Sequence, residues 1–151
     1  MPKLINLCAN EAFDMILDNK LFDDILIRAQ ESPRHRMHFD LRTSVNDDSQ
    51  RMLNVMMSDT VIPIHRHNET SETVIVCRGK VREEFYDTEG NKIAEFVLQA
   101  GGECPGIQIP KGQYHTLVCL EDGSVIFEAK DKPYDPNSTE DFLVISSNHE
   151  E

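Results

Sequence analysis

The chain has 151 residues, a length that fits one ordinary domain and not two. Aspartate and glutamate number 27 against 15 lysines and arginines, which gives a formal charge of -12. A surface that acidic repels phosphate backbones and anionic membranes, so we expect neither nucleic acid nor membrane among its partners. Apolar stretches are too short to span a membrane, and polar residues interrupt any signal-peptide core at the amino terminus. The sequence therefore predicts a cytoplasmic protein.

Residues 1–35 are predicted to form a helical lead. Asn10 can cap a first helix whose apolar side chains share one face: Ala12, Phe13, Ile16 and Leu17. Residues 22–30 repeat the same spacing, and Ser32-Pro33 ends that second helix because the residue before a proline avoids the helical region. We expect both helices to pack on a larger sheet.

From residue 36 the hydrophobic period changes from 3.6 to 2, which indicates β-strands. The first strand, over residues 36–42, has a polar side that is expected to be a solvated face: Arg36, His38, Asp40 and Arg42. Further strands are predicted over residues 51–57, 60–64, 72–78, 81–86, 92–98, 106–109, 115–120 and 124–130. Short strands joined by turns predict a mainly β domain over residues 36–136, an antiparallel sandwich or barrel, followed by a polar surface tail over residues 137–151.

Two of the six histidines form the segment His65-Arg66-His67. Residues two apart in an extended segment point to the same face, so both imidazoles can reach one ion. Glu72 begins the next apolar run, and a proline–glycine turn leads His115 into another strand. Three imidazoles and a carboxylate suit one divalent transition metal per chain (Fe, Mn, Co, Ni or Zn), with positions left for water or substrate. The alternative is two exposed turn histidines and one hydrogen-bonded core histidine.

Two motifs resemble the signature motifs of the cupin superfamily: His65-x-His67-x4-Glu72-x6-Gly79 and Pro110-x-Gly112-x2-His115. The resemblance implies a cupin double-stranded β-helix in which the three histidines and Glu72 ligate the metal. Three further segments, SPRHR at 32–36, QRMLN at 50–54 and EAKDKPYDP at 128–136, look like the WbuC family of cupin-fold metalloproteins. That resemblance implies a link to bacterial surface polysaccharides and lipopolysaccharide biosynthesis. Cupins commonly pair through barrel edges, so we also expect a homodimer, with strand 36–42 as its edge.

Other residues are candidates for contacting a ligand. Glu128 and Lys130 share one strand face; if that face points inward, Glu128 is a candidate general acid or base and Lys130 binds an anionic group. The alternative is a surface ion pair of little energetic weight. Arg51 is a second candidate for binding substrate. Tyr114, beside His115, is a candidate lid residue, and the alternative, which is more frequent for such a residue, is plain packing.

Three functions of different classes fit this pattern. The first is an enzyme that uses open metal positions to polarise a small-molecule substrate, a sugar or sugar derivative, in an isomerisation, epimerisation or oxygenation. The second is a module that binds or senses a ligand through the metal without turnover. The third is a structural metal closed by four protein ligands. We favour the enzyme.

Overall fold

The computed structural model describes residues 16–142, and within them one α-helix precedes ten β-strands. Helix α1 spans Asn19–Glu31. The strands are β1 (Arg36–Asp40), β2 (Ser49–Met56), β3 (His65–His67), β4 (Glu72–Arg78), β5 (Lys80–Tyr86), β6 (Lys92–Gln99), β7 (Gly106–Ile109), β8 (Tyr114–Cys119), β9 (Ser124–Asp131) and β10 (Thr139–Asp141). The predicted helix capped by Asn10 lies mostly outside the described residues.

Helix α1 confirms the helix predicted over residues 22–30. The Asp18 carboxylate accepts a hydrogen bond of 3.0 Å from the backbone N–H of Leu21 and so caps the amino terminus. The helix ends at Glu31. The next residue, Ser32, has an extended backbone conformation, as expected of a residue before proline. Its apolar positions recur at three- and four-residue intervals and are buried: Phe22, Ile25 and Ala29. Within residues 16–142, no helix combines the length and the apolar character that crossing a membrane requires.

The strands form two five-stranded antiparallel sheets, with orders β1-β2-β9-β4-β7 and β10-β3-β8-β5-β6. Both sheets contribute to one apolar interior: Met56, Val74, Val76, Val81, Leu98, Ile109, Leu117, Cys119 and Ile126. This arrangement confirms the predicted fold class, a mainly β cupin double-stranded β-helix. Within the described residues, one α-helix precedes it. Helix α1 covers the outer side of the first sheet, where Leu53, Val55 and Val125 pack against it. The first sheet is therefore buried on both faces over part of its area.

Two segments differ from the sequence prediction. Residues 60–64, predicted as a strand, are a loop that contains Pro63, and the strand starts only at His65. Beyond Pro136, in the segment assigned to a surface tail, the structure has a short 3-10 turn and strand β10. Strand β10 pairs antiparallel with β3, and Thr139 lies opposite His67. The histidine-bearing strand is therefore held between β8 and β10.

Candidate metal centre and its cavity

Three histidines converge between the two sheets. His65 and His67 lie two apart on β3, and His115 on β8 is the register partner of His65. The distances between their ring centroids are 4.4 to 5.5 Å. One nitrogen from each ring lies within 4.8 Å of the other two, a spacing at which all three can reach a single ion.

Glu72, the first residue of β4, brings a carboxylate from the opposite sheet. Its Oε1 lies 3.2 Å from His67 Nε2 and 3.3 Å from His115 Nε2. The side chain is buried. Burial opposes ionisation of this carboxyl group, whereas the ammonium of Lys130, 3.9 Å from Oε2, lowers its pKa. The sequence-predicted set of three histidines and one carboxylate is thus in one place.

The other ring nitrogens of two histidines have fixed hydrogen bonds. His65 Nδ1 donates to the carbonyl of Pro63 at 2.8 Å, and His115 Nδ1 donates to the carbonyl of Gln113 at 2.9 Å. A carbonyl can only accept, so the proton of each neutral ring is on Nδ1 and the Nε2 lone pair faces the centre. Burial, with the neighbouring His115, lowers the pKa of His65 to about 4, which keeps that ring neutral at pH 7.

The third histidine is oriented by strand β10. His67 Nδ1 lies 3.2 Å from the hydroxyl of Thr139. Arg66 lies between the two histidines on β3, and because side chains alternate along a strand it points to the opposite face. There it forms an ion pair of 2.9 Å with Glu140. Hydrogen bonds from the outer nitrogen of each ring are the usual means of orienting imidazoles toward a metal.

The donor set fits a metal on physical grounds. Nε2 lone pairs and an ionised carboxylate oxygen point at the same space, where they repel one another unless a cation lies between them. Glu72 Oε1 is buried and has no hydrogen-bond partner among the described residues. Imidazole and carboxylate donors together suit a divalent transition metal.

The centre lies on the wall of a cavity of about 620 Å³, lined by both sheets. Glu128 and Lys130 point into it from β9, which decides between the two sequence alternatives in favour of the inward face. Lys130 Nζ lies 3.9 Å from Glu72 Oε2 and 4.0 Å from Glu128 Oε1. Asn54 Nδ2 donates to Glu128 Oε2 at 3.1 Å. Burial, and then the Glu72 carboxylate, raise the pKa of Glu128 to about 8.

Two sequence candidates for contacting a ligand are not brought to this cavity. Arg51 lies on the other face of β2, where its guanidinium bonds the Asp47 carboxylate at 3.0 Å. Tyr114 is buried on the opposite side of β8 from His115, with the guanidinium of Arg66 4.5 Å from its ring centre. Alternation along a strand separates each from the cavity, so neither Arg51 nor Tyr114 lines it.

Sequence reasoning missed Glu83, on strand β5. It faces the cavity between Val81 and Phe85, and only 1% of its surface is exposed. Burial, and then the carboxylates of Glu72 and Glu128, raise its pKa to about 9. In the sequence, Glu83 lies two residues from the apolar Val81 and two from the apolar Phe85, and this alternation could have indicated that its carboxyl group points inward.

The polar side of β1 was expected to be solvated, and part of it lines the cavity. Arg36 and His38 extend the concave face of the sheet, because His38 is the register partner of Asn54 on β2. Removal from water, and then the guanidinium of Arg36, lower the pKa of His38. His38 and Asp40 are solvent-exposed, as expected of this face, and the face also borders the cavity.

Residues 17–98, more than half of the chain, match the family described as "Domain of unknown function (DUF6016)". No curated protein matches the sequence. Among solved structures, the capsular polysaccharide assembling protein CapF from Staphylococcus aureus is similar, with a TM-score of 0.60 and 21% identity over 70% of this chain and 29% of CapF.

Two further solved structures are similar to the chain. Oxalate decarboxylase from Bacillus subtilis has a TM-score of 0.57 and 17% identity over 76% of this chain and 32% of its own. Oxalate oxidase in complex with the substrate analogue glycolate has a TM-score of 0.57 and 16% identity over 70% of this chain and 55% of its own. The chain thus spans less than two thirds of the length of each of these proteins. At such identities the similarity concerns the fold, which is the cupin fold.

Proposed function

This chain belongs to the DUF6016 family and has the cupin fold, and we propose that it is a metal-dependent protein that acts on a small molecule. Four side chains ligate one divalent transition metal per chain: His65, His67, Glu72 and His115. One observation carries the proposal: Glu72 Oε1 lies 3.2 Å from His67 Nε2 and 3.3 Å from His115 Nε2 on a cavity wall, while the Nδ1 atoms of both rings have hydrogen-bond partners on the other side. Fe, Mn, Zn, Ni and Co all suit these donors.

An enzyme is the class that the surroundings favour. A structural metal site is normally closed by four protein ligands in a sealed position, whereas these side chains border a large cavity. A divalent metal held here supplies Lewis-acid polarisation of a substrate oxygen. Beside it, Lys130 binds an anionic part of the substrate, and Glu128 gives or takes a proton at its carboxyl group. Asn54 orients that carboxyl group. Isomerisation, epimerisation and oxygenation are the reaction types proposed.

The substrate class is a sugar or sugar derivative. The cavity of about 620 Å³ has the size of a small-molecule site. A role near surface polysaccharides, including lipopolysaccharide, is supported by the WbuC-like segments and by the fold shared with the capsular polysaccharide assembling protein CapF. The substrate is tested separately from the metal.

Metal content tests the first part of the proposal. Protein purified without chelator is expected to contain one equivalent of metal per chain, and the double variant His65→Ala/His67→Ala is expected to contain almost none. His35→Ala is the matched control, because His35 pairs with Asp59 away from the centre. Circular dichroism establishes that the variants fold. A full equivalent of metal in the folded double variant contradicts the assignment.

The second part is tested with metal-loaded protein and a panel of nucleotide sugars and 2-keto sugars. Conversion of a panel member, lost in the double variant, supports an enzyme. Saturable binding without conversion supports the alternative of a binding or sensing module.

A further inference from the structure

The cavity mouth carries a cation, Arg36, that forms no ion pair with the described residues. Arg36 lines the mouth, and none of the described carboxylates lies within ion-pair distance of it. Its Nη1 donates to the carbonyl of Val61 at 3.3 Å. Its Nε is buried and has no hydrogen-bond partner among the described residues. A buried donor left without a partner destabilises the protein, so this orientation points to a missing acceptor.

The acidic residues nearby are already engaged. Asp40, on the same face of β1, accepts four hydrogen bonds from Arg42: three from the guanidinium, at 2.7 to 3.1 Å, and one from the backbone N–H at 2.9 Å. Glu128, deeper in the cavity, is held by Asn54 and Lys130.

Two other acids at the cavity belong to the last described segment of the chain. Asp135 accepts a hydrogen bond from the backbone of Asn137. Asp141 is on β10, in the opposite sheet from Arg36. Neither forms an ion pair with Arg36, whose Nε and Nη2 edge stays available.

We propose that this edge of Arg36 binds an oxyanion of the ligand, a carboxylate or a phosphate. Two parallel N–H groups on one side of a guanidinium match two oxygens of such a group, and the Val61 carbonyl fixes the plane. Lys130 lines the same cavity beside Glu72 and gives it a second positive charge. The inference rests on the proposed function, because it names the charge of the ligand for the same cavity.

The anion is part of a small molecule. The whole chain carries a formal charge of -12, which repels an extended polyanion such as a nucleic acid. A single oxyanion inside the cavity is exposed to the local field of Arg36 and Lys130, where the acidic outer surface is further away and screened by salt. The cavity lining also holds acidic side chains, so the selection of a small anionic ligand over a neutral one rests on direct contact with Arg36 and Lys130.

Calorimetric titration of the metal-loaded protein tests this inference with three probes: glucuronate, glucose 6-phosphate and neutral glucose. We expect at least one acidic probe to bind about tenfold or more tightly than glucose. Arg36→Gln is expected to lower the affinity for that probe about tenfold or more at unchanged metal content. Arg36→Lys, which keeps the charge but not the paired N–H groups, is expected to give an intermediate affinity. The tighter of the two acidic probes identifies the oxyanion.

Arg51→Gln is the matched control, because Arg51 is on the neighbouring strand and points away from the cavity. Thermal unfolding establishes that each variant is folded. The inference is overturned if the acidic probes fail to bind wild type at millimolar concentration, if glucose binds as tightly, or if Arg36→Gln binds like Arg51→Gln. Metal content separates the two proposals: wild type without metal contradicts the proposed function, whereas Arg36-dependent binding of an acidic probe still supports the anion site.

Discussion

Asn54, on strand β2, donates a hydrogen bond of 3.1 Å to Glu128 on the neighbouring strand β9, and both side chains line the cavity. Lys130 Nζ lies 4.0 Å from the other carboxylate oxygen of Glu128. A carboxyl group held on both sides in this way has one orientation, which is what proton transfer to a bound ligand requires. The position of Glu128, and not its burial alone, makes it the candidate for acid–base chemistry.

Replacing Glu128 with glutamine separates a chemical role from a structural one. The glutamine side chain has nearly the same shape and can still accept the hydrogen bond from Asn54, so we expect stability to change by less than about 1 kcal/mol and metal content to stay at one equivalent. Conversion of the substrate found in the panel is expected to fall about a hundredfold or more, because the proton-transfer group is gone. Urea denaturation, metal analysis and turnover together measure these effects.

Glu140→Gln is the control for that variant, since Glu140 is exposed and pairs with Arg66 outside the cavity. Turnover in the control should match wild type. If Glu128→Gln also turns over at the wild-type rate, Glu128 has no acid–base role and its contacts serve the fold.

Thr139 is expected to tune metal affinity without touching the metal. Its hydroxyl lies 3.2 Å from His67 Nδ1, so Thr139→Val removes the partner that orients this ring. Loss of such a partner typically weakens metal binding by about tenfold or more. Competition with a chromophoric chelator measures the change. Thr139→Ser keeps the hydroxyl and should retain wild-type affinity; equal affinities for the valine and serine variants would contradict an orienting role.

The grouping of the candidate metal ligands was predictable, because much of the information is local. Two histidines at period two on a strand share a face wherever that strand is placed, and the motif spacing supplied the rest. Strand β10 was not predictable in the same way, because its pairing with β3 joins segments about 70 residues apart and leaves no periodic mark on a three-residue strand. The hydroxyl partner of His67 was therefore found only in the structure.

Arg51 illustrates a second limit. Its neighbours Leu53 and Val55 are apolar, which normally marks the side of a strand that faces the interior of a barrel. Here that side packs against helix α1, and the cavity takes the more polar side, with Asn54. A sheet covered on both faces has no unambiguous inner face in its sequence pattern. The same ambiguity left Glu128 and Lys130 open until the structure placed them.

The homodimer stays a prediction. Strand β1 is at the edge of its sheet, and its outer side pairs with no strand among residues 16–142. Open edges favour pairing with a second copy. At micromolar concentration, light scattering should give about twice the chain mass of 17.3 kDa. A mass of one chain at that concentration contradicts the prediction.

Glu83 is expected to make stability depend on pH. Burial, and then two nearby carboxylates, raise its pKa to about 9 from an ordinary value of 4.5. Between those values the folded protein keeps a proton that the unfolded chain releases, so the free energy of unfolding decreases as pH rises. Below pH 4.5 Glu83 is protonated in both states, so the free energy of unfolding does not depend on its ionisation. Above pH 9 it is ionised in both states, and the decrease in the free energy of unfolding is complete.

Glu83→Gln removes that dependence, since glutamine does not ionise. In chelator-treated protein we expect the variant to match wild type within about 1 kcal/mol at pH 5 and to exceed it by about 2 kcal/mol or more at pH 8.5. Glu84→Gln is the control. Burial raises the pKa of Glu84, but hydrogen bonds from Arg82 and Tyr86 outweigh this effect and lower the pKa. Glu84 is ionised in both states above pH 5, so its replacement should cost the same stability at both pH values. Urea denaturation measures all three proteins, and a pH-independent difference for Glu83→Gln would mean that Glu83 is ionised in the folded protein.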